Sequence, residues 1–408
     1  MTTINKENVY STKNRNLGIY VHIPFCQRKC SYCGFLSLVN QPKTAIKQYM
    51  DNLLLEVDLH FADLSKGDDI SNEEQFSIDT IYIGGGTPSL IDGKEISSLL
   101  DKIRQKASVS CDAEITMESN PNSLTMENLM AYRVAGVNRL SIGVQSFDDN
   151  ILRDIGRLHD SQAAVHAVSM AKNAGFDNIN LDLLFGLPGQ TLSSWKESLE
   201  KAVSLQQSHL SLYTLQIEEG TSLYKDYKAD KLPLIDLSVD RASYHYAIDY
   251  LSKNGYAQYE ISNFAKAGYE CRHNLKYWSM DNFLGIGLNS SSFIDGKRWR
   301  NLSEMDQWNS CVEHRIAPID KNSVEVDTAS DAMGIFLFTG LRKTSGISLE
   351  EFSKRFGVDF FRKYSNIKNQ LDEYREKGYL VWSDTGSGRL WLTESGIDHS
   401  NEIMSEFV

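Results

Sequence analysis

The chain has 408 residues, 41% of them hydrophobic, and its formal net charge at pH 7 is −12. This length and composition predict a large buried core divided among two or three domains. The acidic balance disfavours nonspecific attraction to nucleic acid or to an anionic membrane. Residues 1–16 lack the apolar core of a secretion signal, and no stretch approaches the ~18 apolar residues of a membrane span. We therefore expect a cytoplasmic protein.

Six short β-rich runs recur along the first half of the chain, separated by segments that suit helices. They are residues 17–23, 80–83, 114–118, 139–145, 180–185 and 209–216. This alternation predicts parallel strands, and the continuous apolar runs fit strands covered on both faces. We predict an α/β fold with a partial (β/α)6 barrel whose chemistry lies at the C-terminal strand ends. The polar residues 65–75 are interpreted as an exposed insertion.

The C-terminal third of the chain has a different pattern. Five apolar residues repeat at steps of four and three, which predicts one amphipathic helix; they are Phe360, Tyr364, Ile367, Leu371 and Tyr374. The β-rich runs 378–382 and 389–393 predict a hairpin across residues 384–388. Helices followed by such a hairpin suggest a small winged-helix-like domain. Acidic residues interrupt any basic face, so a structural or partner-binding role is favoured over DNA binding.

These patterns predict four segments. They are a flexible tail at 1–16, the barrel at 17–217, an irregular and aromatic α+β extension at 218–328, and the winged-helix-like domain at 329–408. The polar stretch 320–327 marks the last boundary.

Three cysteines, Cys26, Cys30 and Cys33, lie within eight residues directly after the first predicted strand. Thiolates at this short spacing on a loop can converge on one iron–sulfur cluster. Three ligands leave one iron of a four-iron cube open for the amino and carboxylate groups of S-adenosylmethionine (SAM). Zinc is the alternative, but it normally needs a fourth ligand, and the sequence offers no second cysteine pair. The other cysteines are interpreted as small core residues; they are Cys111, Cys271 and Cys311.

Several stretches also carry a family resemblance. They are residues 20–26, 83–89, 118–121, 139–147, 180–188, 217–221, 259–264, 273–278 and 340–342. The cysteine spacing, with an aromatic residue just before the last cysteine, resembles the radical SAM superfamily. The stretches are similar to the anaerobic coproporphyrinogen III oxidase family and, within it, to the heme chaperone HemW branch. The resemblance extends from about residue 17 to the C-terminus.

The resemblance implies a set of residues around SAM. It places SAM contacts at Tyr20, Gly86, Thr87, Pro88, Glu118, Gln145, Arg157 and Asp182, and Tyr32 beside the cluster. Glycines after a strand let backbone approach a ligand closely. An acid at a strand end can hold an amine or a ribose hydroxyl, and an arginine can bind a carboxylate. Taken singly, each would be an ordinary turn, capping or surface residue.

Two positions decide the branch of the family. True oxidases of the family carry a fourth cysteine two places after the third, where this chain has Phe35. The segment 273–278 instead matches a motif linked to heme binding, which implies heme contacts at His273, Asn274, Tyr277 and Trp278. A histidine can ligate heme iron, and aromatic rings can cover a porphyrin. A buried histidine beside two core aromatics is the alternative. At 285–290 the chain lacks the histidine usual in the branch.

The resemblance implies a heme chaperone that binds heme and transfers it to an acceptor protein, using a [4Fe-4S] cluster and SAM. A radical SAM methyltransferase or porphyrin-modifying enzyme is the alternative, and catalytic residues are not assigned. An electron donor for the cluster is a further expected partner, and no nucleic acid is expected. Two partners stay open on the sequence: a membrane-protein acceptor met transiently, and a second copy of the chain.

Overall fold

The computed structural model describes residues 16–64, 76–232, 236–383 and 388–408. The predicted tail before residue 16, the insertion 65–75 and most of the loop of the C-terminal hairpin lie outside the described residues. Within the described ranges, no helix combines the length and the apolar character needed to cross a membrane.

Strands and helices alternate through the first half of the chain, and further strands and helices follow in the second half. The strands are β1 (Asn16–Ile23), β2 (Phe25–Cys26), β3 (Leu38–Val39), β4 (Ser77–Gly85), β5 (Ser108–Ser119), β6 (Arg139–Gln145), β7 (Asn178–Phe185), β8 (His209–Thr214), β9 (Ala257–Glu260), β10 (Asn263–Ala265), β11 (Phe283–Ile286), β12 (Ser291–Ile294), β13 (Lys297–Arg300), β14 (Glu325–Val326), β15 (Ile347–Ser348), β16 (Leu380–Trp382) and β17 (Arg389–Leu392). The helices of the first half are α1 (Lys43–Leu64), α2 (Gly93–Lys106), α3 (Met126–Ala135), α4 (Asp149–Asp154), α5 (Ser161–Asn173) and α6 (Leu192–Ser204). Those that follow are α7 (Ser222–Lys228), α8 (Leu237–Lys253), α9 (Arg272–Ser279), α10 (Met305–Glu313), α11 (Ala329–Gly340), α12 (Leu349–Phe356), α13 (Phe360–Lys363), α14 (Lys368–Glu376), α15 (Glu394–Asp398) and α16 (Ser400–Ser405).

A twelve-stranded sheet forms the centre of the molecule, in the order β14-β13-β12-β11-β1-β4-β5-β6-β7-β8-β10-β9. The six predicted strands are confirmed as β1, β4, β5, β6, β7 and β8, and each pair of neighbours runs parallel. Helices cover the strands, as where Trp195 of α6 contacts Phe185 of β7 with 5.5 Å between ring centres. The predicted α/β fold with a partial (β/α)6 barrel is therefore confirmed, and the C-terminal ends of its strands lie at one edge.

The extension adds strands to both edges of the barrel sheet. β10 pairs antiparallel with β8, and β9 with β10. On the other edge, β11 pairs parallel with β1 and continues through antiparallel strands to β14. The seventh parallel strand, β11, is a four-residue run that the sequence pattern did not reveal. The predicted limits at 218 and 328 stay predictions.

The C-terminal part combines α11 to α16 with a three-stranded sheet in the order β15-β17-β16. The predicted hairpin is confirmed, because β16 and β17 pair antiparallel. The single predicted amphipathic helix is wrong: α13 and α14 are separated by a 3-10 turn over Ser365–Ile367. Ser365 and Asn366 favour such a turn because their short polar side chains compete for backbone hydrogen bonds. The apolar face nevertheless packs inward, with Phe360, Leu371 and Tyr374 buried.

The prediction of three core cysteines holds only in part. Cys271 is buried and Cys311 is half-buried, but Cys111 is exposed. Cys111 lies in the first part of β5, where the strand is largely exposed before its buried segment begins. The pairing of β5 with β4 is irregular between Val109 and Glu114, and residue type alone does not predict this local exposure.

Candidate functional site

A cavity of about 840 Å³ opens at the C-terminal edge of the barrel strands. Its walls come from the loop after β1, the ends of β4 to β8, the β9–β10 turn, α9 and Arg342, two residues after α11. The volume is within the range of ordinary ligand pockets. The position agrees with the prediction that the chemistry lies at the C-terminal strand ends.

The cysteine loop is held at both ends and in its middle. β2, which ends at Cys26, pairs with β3 beyond the loop. Between them, the Ser31 N–H donates to the Ile155 carbonyl oxygen at 3.1 Å, and the Ser31 carbonyl oxygen accepts from the Leu223 N–H at 2.9 Å. The loop therefore presents Cys26, Cys30 and Cys33 to the cavity from a fixed backbone.

The thiols have polar neighbours inside a partly buried setting. Burial raises the pKa of Cys26 and of Cys33. The Thr87 hydroxyl donates to Cys26 Sγ, and Arg157 Nη1 donates to Cys30 Sγ, both at 3.6 Å. Within the described ranges, no three His, Cys, Asp or Glu side chains are placed to hold a single metal ion. A four-iron cluster binds each thiolate at a different iron, so its ligands need not meet at one point.

Glycine makes room beside the first cysteine. A Cβ placed on Gly86 would lie 2.6 Å from the Phe25 carbonyl oxygen and 3.0 Å from Cys26 Sγ. No side chain larger than hydrogen fits there without moving the cysteine backbone. The Gly86 N–H donates to the Ile23 carbonyl oxygen at 2.8 Å, which fixes the turn after β4.

Two half-buried carboxyl groups face the cavity from β5 and β7, which lie on either side of β6. Glu118 accepts hydrogen bonds from the Tyr82 hydroxyl and the Gly85 N–H, both at 2.9 Å. Burial, and then the charge of Asp182, raise the pKa of Glu118 to about 7. Asp182 accepts from Ser141 Oγ at 3.0 Å and from Asn180 Nδ2 at 2.8 Å, and burial raises its pKa. A cationic ligand group would stabilise both carboxylates.

Arg157 lies between the strand ends and the cysteine loop. Its Nη2 donates to Asn120 Oδ1 at 2.6 Å and to the Gly143 carbonyl oxygen, while its buried Nε has no partner in the described part of the chain. Nearby, Gln145 ends β6 with a φ of 68°, and the pairing register shifts between Gly143 and Gln145. Such left-handed residues and bulges concentrate at functional sites, where they re-aim a side chain.

Helix α9 carries the predicted heme motif. Asn274, Tyr277 and Trp278 line the cavity. His273 lies beneath them, 1% exposed, with its Nδ1 2.8 Å from Thr80 Oγ1 and its Nε2 2.9 Å from the Tyr277 hydroxyl. Burial, and then the charges of Lys276 and Arg139, lower the pKa of His273 to about 3. The imidazole is therefore neutral at physiological pH.

Comparison with curated proteins decides the family. The chain is 34% identical over 390 residues to the heme chaperone HemW of Bacillus subtilis (strain 168), which covers 95% of this chain and 98% of that protein. It is 35% identical over 384 residues to the heme chaperone HemW of Escherichia coli (strain K12), covering 92% and 96% respectively. The chain belongs to the heme chaperone HemW family.

Domain-level and structural comparisons agree with this membership of the HemW family. The Radical SAM superfamily profile matches residues 20–202, and that of the HemN C-terminal domain matches residues 327–399. The structure of coproporphyrinogen III oxidase (HemN) from Escherichia coli superimposes with a TM-score of 0.83 at 24% identity, covering 98% of this chain and 92% of that chain. At this identity the likeness shows the fold.

Most of the residues predicted to form the site in this HemW-family chain line one cavity. The residues brought together there are Cys26, Cys30, Tyr32, Cys33, Gly86, Thr87, Glu118, Gln145, Arg157, Asp182, Asn274, Tyr277 and Trp278. Three do not line it: Tyr20, Pro88 and His273. The Tyr20 hydroxyl is hydrogen-bonded to His22 Nδ1 at 3.0 Å, and Pro88 is buried at the start of a 3-10 turn. Direct ligand contacts of these three stay predictions.

Several cavity residues were not singled out from the sequence. Tyr82 and Asn120 hold Glu118 and Arg157 in place. Glu260, Asn263 and Arg342 also line the cavity. These last three lie within stretches 259–264 and 340–342 that carried the family resemblance, which was the available signal.

Proposed function

We propose that this protein binds heme and delivers it to an acceptor protein, with a [4Fe-4S] cluster on Cys26, Cys30 and Cys33. The observation that carries the proposal is that the aromatic residues of α9 and the cysteine loop line one cavity. The names of the HemW relatives support it. When bound, the cluster offers an open iron to SAM and can supply one electron.

The polar residues of the barrel mouth fit SAM. We assign Glu118 and Asp182 to its cationic and hydroxyl groups and Arg157 to its carboxylate, because their charges are complementary. Gly86, Thr87 and Gln145 supply close backbone and polar contacts, and Tyr32 packs beside the cluster. Tyr20 and Pro88, which lie behind the lining, would support the walls.

Heme contacts are proposed on α9. In the tautomer with its proton on Nδ1, His273 donates to Thr80 Oγ1, and its Nε2 lone pair accepts from the Tyr277 hydroxyl. A neutral imidazole whose other nitrogen is held by a hydrogen bond is the form that ligates metals. Iron ligation by His273 then requires Tyr277 to turn away from Nε2. Asn274 and Trp278 would contact the porphyrin from the lining itself.

Phe35 supports a chaperone over an oxidase. It occupies the place of the oxidases' fourth cysteine, lines the cavity and is 70% exposed. It supplies no thiol for chemistry on coproporphyrinogen. We also propose a cytoplasmic location, an electron donor for the cluster, and an acceptor that includes membrane proteins met transiently. We also propose the division of the chain into four segments, with boundaries at residues 17, 218 and 329. Assembly into a homodimer is a further part of the proposal.

Anaerobic reconstitution followed by heme titration tests the proposal. We expect a saturable Soret shift and no protoporphyrinogen IX from coproporphyrinogen III, SAM and reductant above a control without protein. Cys26→Ala should lose cluster iron but keep heme binding. Tyr277→Phe removes the bond that competes for His273 Nε2, so heme affinity should rise by about 2- to 10-fold.

The outcomes separate the candidate functions. Protoporphyrinogen IX at sustained turnover would restore the oxidase, and a methylated product would favour a methyltransferase. His273→Ala should change the heme absorption spectrum. An unchanged spectrum together with a lower melting temperature would remove His273 as the iron ligand while leaving heme binding intact.

A further inference from the structure

One wall of the cavity carries four buried polar atoms without a hydrogen-bond partner in the described ranges. They are Glu260 Oε2, Asn263 Oδ1, Trp278 Nε1 and Arg342 Nε. We call these four side chains the polar wall. Roughly nine in ten buried polar groups in proteins are hydrogen-bonded. Four unpartnered atoms on one cavity wall therefore indicate a place where a ligand or ordered water completes the bonding.

The acceptors of the polar wall are held from behind. Glu260 is 0% exposed and Asn263 is 2% exposed. Glu260 Oε1 accepts from the Ser262 N–H at 3.0 Å and from Asn263 Nδ2. These bonds hold the two side chains at the β9–β10 turn and leave Glu260 Oε2 and Asn263 Oδ1 available to a ligand.

The donors of the polar wall are stacked on each other. The guanidinium carbon of Arg342 lies 4.4 Å from the centre of the Trp278 ring. A guanidinium that stacks on an aromatic ring keeps its N–H edge free for a planar anion. Arg342 comes from the C-terminal part of the chain, whereas Trp278 belongs to α9.

We infer that the polar wall binds a carboxyl group of the ligand, namely a propionate of heme; the inference rests on the proposed function. Arg342 Nε–H and Trp278 Nε1–H would donate to the carboxylate. One proton shared between the ligand carboxyl and Glu260 would satisfy Glu260 Oε2, as in paired carboxyl groups, and an ordered water would donate to Asn263 Oδ1. An amine would leave both donors unused and place a second cation beside Arg342.

The amino-acid end of SAM also carries a carboxylate, so the source of the carboxyl group must be decided. Trp278 is part of the α9 lining that we assign to the porphyrin, which makes the polar wall continuous with the heme site. Arg157 already stands beside the cysteine loop, with Nη1 3.6 Å from Cys30 Sγ, as the partner for the SAM carboxylate. These placements favour heme as the source.

The same wall gives the C-terminal part a role in binding. Residues 342–344 join the edge of β9: the Ile261 N–H donates to the Arg342 carbonyl oxygen and the Thr344 N–H to the Tyr259 carbonyl oxygen, both at 3.1 Å. These are backbone bonds, so replacing the Arg342 side chain leaves the attachment in place.

Heme and its dimethyl ester, in which both propionates are blocked, test the assignment on the reconstituted full chain. Arg342→Gln should weaken heme binding about 10- to 100-fold and leave ester binding within about twofold of the wild type. Trp278→Phe, which keeps the ring but loses the N–H, should weaken heme by about 2- to 10-fold. Arg342→Lys should restore part of the loss. Arg362→Gln, at an exposed arginine of the C-terminal part, is the matched control and should bind like the wild type.

Other results overturn the assignment. Equal affinities of the wild type for heme and ester, or an equal loss of both in Arg342→Gln, would show that no propionate binds there. If Arg342→Gln lowered the affinity for SAM tenfold and left the affinity for heme unchanged, the polar wall would be assigned to SAM instead. A wild type that binds neither porphyrin but retains SAM would overturn the proposed function itself, and the assignment with it.

Discussion

At the scale of single residues, the mouth of the barrel concentrates ionisable groups in a buried setting. Glu118 and Asp182 accept hydrogen bonds from neighbouring strands and loops, and burial raises the pKa of both. A protein core normally avoids such groups unless they are paired. Such carboxyl groups either take up a proton or are stabilised by a cation, and SAM would supply the cation.

The ionisation of Glu118 predicts a pH dependence of SAM binding. Since its pKa is about 7 in the ligand-free protein, the charged form is the minor one at pH 6 and the major one at pH 8. Any effect of the ionisation of SAM itself on affinity is the same for the wild type and for Glu118→Gln, so it cancels in the ratio of the two affinities. The ratio of wild-type to Glu118→Gln affinity should therefore rise about tenfold from pH 6 to pH 8.

Equilibrium dialysis of SAM on reconstituted protein measures this ratio, and iron analysis checks that the cluster is intact. Glu219→Gln, at an exposed glutamate, should follow the wild type at every pH. A ratio that stays constant between pH 6 and pH 8 would mean that Glu118 does not hold the cation.

Sequence and structure agree unevenly at this scale. Cys26, Cys30 and Cys33 were assigned from spacing because their short loop forces them together. Glu118 and Asp182 were assigned through the family resemblance. In the structure, both lie near the ends of their strands and line the same cavity. Arg342 could not be placed by pattern, because it reaches the cavity only through pairing between distant segments, residues 342–344 and β9. The burial of His273 likewise depends on packing against Thr80 and Tyr82.

At the scale of elements, α9 is fixed to the barrel by its first turn. The carboxylate of Glu114 on β5 accepts from the Arg272 N–H at 3.1 Å and the His273 N–H at 3.2 Å. An anion is stabilising at a helix N-terminus, where the first N–H groups have no partner within the helix. Glu114 therefore sets the position of the helix that carries the proposed heme contacts.

Glu114→Gln should weaken this attachment without removing the side-chain volume. We expect a loss of about 1–3 kcal/mol in the free energy of unfolding, the cost of weakening charged hydrogen bonds in a buried setting. Heme binding should weaken with it, while SAM binding stays near the wild-type value, because Glu118 and Arg157 are held by other elements. Chemical denaturation and parallel titrations measure both effects.

Glu127 offers the matched control for this helix attachment. It is an exposed acid in the first turn of α3, so Glu127→Gln should change stability by less than about 0.5 kcal/mol. If Glu114→Gln weakened SAM and heme binding equally, the helix would not be an independent carrier of the heme contacts.

The elements also show what patterns can predict. The six barrel strands were predictable because each is a β-rich run between segments that suit helices. The break between α13 and α14 was not predicted, since their buried positions keep a helical spacing across the turn at Ser365–Ile367. β11 was missed because four residues that include Gly285 carry too short a pattern.

At the scale of the whole molecule, two of the attachments between the C-terminal part and the extension bear on ligand binding and on pH dependence. One is the pairing of residues 342–344 with β9. The other joins α8 to α15: His245 Nδ1 lies 3.0 Å from Glu394 Oε1, and its Nε2 lies 2.7 Å from Asp398 Oδ2. Arg241 Nη1 donates to Asp398 Oδ1 at 3.1 Å. If the polar wall binds heme, these attachments also hold Arg342 over the cavity.

The second attachment should depend on pH. Burial alone would lower the pKa of His245, but hydrogen bonds to Glu394 and Asp398 outweigh it and raise the pKa. A histidine with a raised pKa in the folded state contributes stability that is fully present below its ordinary value of about 6.5 and is lost as pH rises through the folded value. The α8–α15 contact should therefore loosen as the pH rises through the raised pKa of His245. Arg241 and the ring of Tyr244 also face His245, and Arg241 keeps its charge throughout.

Hydrogen exchange of the amides of α15, corrected for the intrinsic pH dependence of exchange, measures this loosening. Protection in the wild type should fall over a titration upward from about pH 6.5, whereas His245→Gln should show low protection that changes little with pH. His399→Gln is the control. Within the described residues, the one ion pair that His399 forms is with Glu402 of the C-terminal part itself. Wild-type protection that stays constant across this range would show that Arg241 and backbone pairing hold the C-terminal part without His245. A fall in protection that persists in His245→Gln would assign the pH dependence to another group.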